Sequence, residues 1–156
     1  HKEYRRQRQM CIRDRIWRVT SVLADTGPLV AFFDRSSAHH AWVVEQFKSI
    51  TVPLQTCEPV VSEVLFLLKR GRIAPDPLFE MLARSALQLP FRLDEEASSV
   101  RKIMAKYRTL PVSLADACLV RMSEATPNSV LFTLDQDFLI YRRNRRQTIP
   151  LLAPFL

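Results

Sequence analysis

The chain holds 156 residues, 47% hydrophobic and 25% charged, which suits one domain with its own core and argues against wholesale disorder. Its net charge of +7 is uneven: residues 1–18 hold seven basic and two acidic residues, and residues 19–156 hold sixteen basic and fourteen acidic. No run reaches the roughly 18 apolar residues of a membrane span, and three cysteines without a CxxC spacing (Cys11, Cys57, Cys118) argue against a disulfide framework or zinc knuckle and fit reduced thiols in a cytoplasm.

Residues 1–18 (HKEYRRQRQMCIRDRIWR) show neither a helical apolar face nor strand alternation, and no apolar h-region of a secretory signal. They read as a disordered or non-native arm outside a domain of residues 19–156. Residues 19–24 form a short β-branched apolar run closed by Asp-Thr-Gly-Pro, a buried strand. Pro28 suits the first turn of a helix over 28–34. A second helix is expected over 37–49 and a short strand over 52–57. The apolar helix 59–70 is closed by Gly71. A helix over 77–86, a strand over 87–91 and an amphipathic helix over 94–107 follow, the last with acids in its first turn. Ser113 opens a helix over 114–124, and 130–133 is a further strand. Pro150 limits 148–152 to an edge strand at most. Strands alternating with helices predict an α/β fold, a three-layer α/β/α sandwich with a mainly parallel central sheet. Function in such sheets gathers beyond the C-terminal strand ends.

Two glycines, Gly27 and Gly71, exclude a Walker A loop, a GxGxxG dinucleotide loop and a GxSxG elbow. Three histidines, His1, His39 and His40, allow no HExxH zinc site. Carboxylates remain. Asp25 ends the first strand, where a helix cap would also use it. Glu63 stands in the apolar helix PVVSEVLFLL with no charge partner at i±3 or i±4, so it needs an Arg from elsewhere or a metal ion. Asp116 has capping-box spacing from Ser113, which also fixes its direction. Asp135 and Asp137 follow the 130–133 strand, where either suits a turn. Gathering four acids in one cleft is unfavourable without a cation. Mg²⁺, an oxygen-seeking ion that bridges carboxylates to phosphate, fits the set. Arg142, Arg143, Arg145 and Arg146 form a dense cluster that suits either a solvated surface or phosphate contacts.

The ordered set DTGPLVAFFDR, PVVSEVLFLLKR, SLADACLV and TLDQDF resembles the PIN-domain family, most closely its VapC-like toxins, over about residues 21–154. The resemblance implies an endoribonuclease using Mg²⁺, or Mn²⁺, with water attacking a phosphodiester to leave a 5′-phosphate and a 3′-hydroxyl. It implies Asp25, Glu63 and Asp116 as the acidic triad and Asp135 as the fourth acid, with Asp137 able to substitute. Thr26 and Thr133 match hydroxyl positions that line such sites, and with Asp137, Arg142 and Arg143 they are candidates for substrate contact. RNA as substrate, a small antitoxin protein and a homodimer are the implied partners. Tyr141, beside two arginines, could stack on a base. His39 and His40 read as surface residues, and Trp42 and Phe47 as core or dimer contacts. Three readings compete: a haloacid-dehalogenase-like phosphatase using the Asp135-Gln136-Asp137 DxD, a non-catalytic RNA-binding module, and a PIN nuclease of RNA processing.

Overall fold

The computed structural model describes residues 19–156. The 1–18 arm and Cys11 lie outside the described residues. Strand β1 (Ser21–Ala24) is buried along its whole length, as a strand covered on both faces must be. It leads through Asp25 into α1 (Thr26–Phe33), then α2 (His40–Ser49). Strand β2 (Leu54–Gln55) precedes α3 (Glu58–Arg70), α4 (Asp76–Ala83), α5 (Leu93–Lys106) and α6 (Leu114–Ala125). Strand β3 (Ser129–Phe132), a 3₁₀ turn (Gln136–Leu139), the β4–β5 hairpin (Arg142–Arg143 and Gln147–Thr148) and β6 (Leu151–Leu152) complete the chain.

The central sheet has the order β2-β1-β3-β6, and every pairing in it is parallel. Helices flank it, giving the expected α/β architecture. β1 and β3 are central, and their register sets Ala24 opposite Phe132. The residues that follow these two strands therefore emerge side by side at one sheet edge. Phe132 is fully buried and packs against Trp42 and Phe47 of α2, with ring centroids 5.7 and 5.5 Å away, so both α2 aromatics serve the core. His40 Nδ1 pairs with the Ala31 carbonyl at 2.8 Å, and His39 is exposed.

Several elements differ from expectation for local reasons. The strand expected over 87–91 shrinks to one bridge between Gln88 and Gln55, since Pro90 has no N–H to extend a ladder. The second helix starts at His40, because Asp34 holds Ser36 in a turn through both its N–H and its hydroxyl. Gly71 ends α3 at φ −79°, and the left-handed residue is Arg72 at φ 57°. The 148–152 segment pairs at the sheet edge only through Leu151 and Leu152. The β4–β5 hairpin is not among the elements that the sequence predicts. Its turn puts Asn144 and Arg145 at φ 48° and 72°, which the Asn can adopt at low cost and the Arg cannot. No described helix is long and apolar enough to cross a membrane. Cys57 and Cys118 are free and buried.

Candidate metal and catalytic centre

Asp25 follows β1 directly and is almost wholly buried. Its Oδ1 accepts a hydrogen bond from the Thr26 N–H at 2.7 Å, capping α1. Its Oδ2 accepts from the Thr133 hydroxyl at 2.7 Å, across the β1–β3 pairing. The cap and the site are thus one arrangement. Thr133 follows β3, and its oxygen also accepts from the Asp135 N–H at 2.9 Å. Asp135 is exposed and caps the 3₁₀ turn by accepting from the Asp137 N–H at 2.8 Å. On the other side, the Thr26 hydroxyl donates to Glu63 Oε2 at 2.8 Å, drawing the α3 carboxylate to the end of β1.

Glu63, Thr26, Asp25, Thr133 and Asp135 therefore form one continuous hydrogen-bonded line. Asp116 stands beside it. A full capping box fixes this residue: Ser113 N–H donates to Asp116 Oδ2, and Asp116 N–H donates to Ser113 Oγ, each at 3.0 Å. Asp116 joins the others through its field. Burial raises its pKa, and the charges of Asp135 and Glu63 raise it further. Burial likewise pushes Asp25 up to about 7; the hydrogen bonds from Thr133 and Thr26 oppose this, and the charges of Asp116 and Asp135 add to it. Among the described residues no ion pair involves Asp25, Glu63, Asp116 or Asp135, so no arginine neutralises Glu63.

The described residues hold no three His, Cys, Asp or Glu side chains close enough to touch one ion together. The donor chemistry nonetheless fits a hard cation. Among the described hydrogen bonds none reaches Glu63 Oε1, Asp116 Oδ1 or Asp135 Oδ2, so three acids each retain a free oxygen. An ion such as Mg²⁺ keeps several waters and needs only one or two direct carboxylates.

The remaining sequence candidates fall elsewhere. Asp137 is half-buried beside Asp135 and uses its backbone in the turn. Thr26 and Thr133 are buried and spend their hydroxyls on carboxylates. Arg142 donates from one guanidinium nitrogen to the carbonyls of Leu139, Ile140 and Tyr141. Arg143 donates to the Ser123 and Pro127 carbonyls, at the end of α6 remote from Asp116. Tyr141 is fully buried, so it cannot stack on a base; its hydroxyl points instead at Asp116 Oδ2, 3.5 Å away. Burial raises the Tyr141 pKa and the neighbouring acids raise it further, which keeps the phenol protonated. The Phe138–Tyr141 spacing after Asp135 was the available sequence signal for this burial. A cleft of about 440 Å³ opens beside Glu63, with Pro59, Phe91, Leu93 and Leu114 on its walls.

The double role of Thr133 gives a direct prediction. Thr133→Val keeps the shape but leaves Asp25 Oδ2 and the Asp135 N–H without this partner. Urea unfolding should show a loss of about 1–3 kcal/mol. Wild-type stability in that variant would mean that the hydroxyl does not hold the site.

The PIN domain family matches residues 22–144, a span that includes all four acids. Over 117 residues the chain is 28% identical to Ribonuclease VapC26 of Mycobacterium tuberculosis (strain ATCC 25618 / H37Rv), covering 74% of this chain and 87% of that protein. A parallel sheet that delivers Asp25 and Asp135 to one edge, helices that bring Glu63 and Asp116 to it, and a family match over most of the chain agree: this chain belongs to the PIN-domain family.

Proposed function

We propose that this chain is an endoribonuclease that hydrolyses RNA phosphodiester bonds with a divalent ion, Mg²⁺ or alternatively Mn²⁺, held by Asp25, Glu63, Asp116 and Asp135. The observation that carries the reading is the line from Glu63 through Thr26, Asp25 and Thr133 to Asp135, with Asp116 fixed alongside. Such an ion polarises the scissile phosphate and lowers the pKa of a bound water. The protein holds the carboxylates. Thr26 and Thr133 orient Glu63 and Asp25 by donating to them, and the capping box sets the direction of Asp116. Burial of Asp25 keeps water from one side of the cluster. Among the described residues the two free cysteines, Cys57 and Cys118, are fully buried and so unavailable as covalent nucleophiles, which suits direct attack by water.

The similarity to a protein named Ribonuclease VapC26 supports RNA as substrate. It also supports the toxin of a toxin–antitoxin pair, with a small antitoxin closing the cleft beside Glu63. A homodimer is part of this reading, with exposed Phe66 and Leu67 of α3 as apolar surface a second copy could cover. The domain is proposed to begin at residue 19, with residues 1–18 an appended arm, and the protein to act in the cytoplasm. The phosphatase reading is set aside because the family match is to PIN domains. The non-catalytic reading is disfavoured by the free oxygens of Glu63, Asp116 and Asp135. A role in RNA processing differs only in its target. Growth arrest on induction, relieved by a co-expressed neighbouring protein, would mark the toxin.

Purified protein should cut RNA in Mg²⁺, leaving 5′-phosphate and 3′-hydroxyl ends, and stop when EDTA is added. Equal RNA binding with and without Mg²⁺, and no cutting under either condition, would remove the nuclease reading.

A further inference from the structure

Asp116 is held through one oxygen. Its Oδ2 accepts from the Ser113 N–H at 3.0 Å and faces the Tyr141 hydroxyl at 3.5 Å. No described hydrogen bond reaches Oδ1. The Tyr141 phenol in turn has Asp116 as its one described partner, although its side chain is fully buried. A buried phenol is expected to find an acceptor, and this one has only a carboxylate within reach.

The ring has little freedom to turn away. Tyr107 and Phe138 pack edge-on against it, with centroids 5.0 and 5.3 Å away. The Tyr107 hydroxyl accepts from the Arg142 N–H at 2.8 Å, so it is the Tyr107 ring and not its hydroxyl that touches Tyr141. Arg142 caps three carbonyls of the same bend. A stiff platform therefore aims one hydroxyl at one carboxylate oxygen. The 3.5 Å separation is long for such a bond. Contacts at reactive sites are often long before the ligand is bound and shorten when it arrives.

We propose that Tyr141 is a positioning residue, whose phenol holds Asp116 Oδ2 and leaves Oδ1 as the oxygen offered to the divalent ion. This rests on the metal-dependent reading above. Hydrogen bonds to the second oxygen of a ligating carboxylate fix its orientation, and their loss commonly weakens metal affinity about 10–100-fold. The long separation places Tyr141 at the lower end of that range.

The experiment measures Mn²⁺ binding, by loss of the free-ion paramagnetic signal, in the wild type, Tyr141→Phe, Tyr107→Phe and Asp25→Asn. Tyr107→Phe removes a neighbouring phenol that touches only backbone, so it reports loosening of the platform. Tyr141→Phe should bind Mn²⁺ about 10-fold more weakly, and Tyr107→Phe within about twofold of wild type. Equal affinity in Tyr141→Phe and wild type would overturn the inference, as would an equal loss in Tyr107→Phe. Wild-type affinity in Asp25→Asn, or no binding by the wild type, would remove the metal reading and this inference with it.

A second measurement needs no folded Tyr141 variant. Mg²⁺ added to the unaltered protein should perturb tyrosine absorption, and the perturbation should persist in Tyr107→Phe. Saturation by Mg²⁺ without that change would also overturn the assignment.

Discussion

Asp25→Asn should lower RNA cleavage on the order of 10³-fold or more, while the metal-free protein gains heat resistance. The two effects share one cause. Asp25 is buried at the tip of the central strand, where its charge is costly and the charges of Asp116 and Asp135 add to that cost. On the proposed reading a divalent ion would compensate the charge, and among the described residues no cationic side chain pairs with it. The amide of Asn carries no charge, and its oxygen can still accept from the Thr26 N–H. Its NH₂ then faces Thr133 Oγ1, which has lone pairs to receive it. Cleavage in Mg²⁺ and thermal melting in EDTA at pH 8 check the pair of outcomes. An active Asn variant would take Asp25 out of the chemistry. An inactive variant that melts well below wild type would point to a structural cap.

Metal-free stability should fall as pH rises from about 4 through 7, and Mg²⁺ should oppose the fall. The ordinary Asp value is 3.8, and burial lifts Asp25 to about 7 in the folded protein. Between these values the folded state binds a proton that the unfolded chain has released. The resulting stabilisation is complete below the unfolded pKa and is lost as pH passes the folded one. A shift of about three units corresponds to on the order of 4 kcal/mol. Asp116 shifts in the same direction, again through burial first, and adds to the effect. Mg²⁺ binds the deprotonated carboxylates, so its own stabilisation grows with pH. Urea midpoints of wild type and Asp25→Asn at several pH values, in EDTA and in Mg²⁺, isolate the contribution. Parallel pH profiles for the two proteins in EDTA would show that Asp25 titrates normally.

The sequence carried the fold well where apolar runs meet strong punctuation. VTSVLA before Asp-Thr-Gly-Pro marks β1, and Ser113 opens α6, so Asp25 and Asp116 could be placed at element tips. Glu63 stood out because nothing apolar around it could offset a charge. Short and edge elements were less legible. The bridge at Gln88 is a single pairing, which no periodicity can encode. The β4–β5 hairpin is made by Asn144 and Arg145 at positive φ without any glycine, so the usual turn signal was missing. The fates of Arg142 and Arg143 depend on carbonyls brought near by tertiary packing. The same holds for Tyr141, whose position among basic residues suggests exposure while its packing against Tyr107 and Phe138 buries it. The hydroxyls of Thr26 and Thr133 were located from the sequence, but their orienting work on carboxylates became evident only in three dimensions.

The Thr133–Asp25 hydrogen bond joins residues 108 positions apart. Contacts of such separation form late, since the intervening chain must first be brought together. On the ribosome, a nascent chain that ends before Thr133 lacks both the hydroxyl that orients Asp25 and the whole segment bearing Asp135. It carries Asp25, Glu63 and Asp116, but not a complete set of acids. Synthesis therefore completes the set of four acids only once Asp135 has been added.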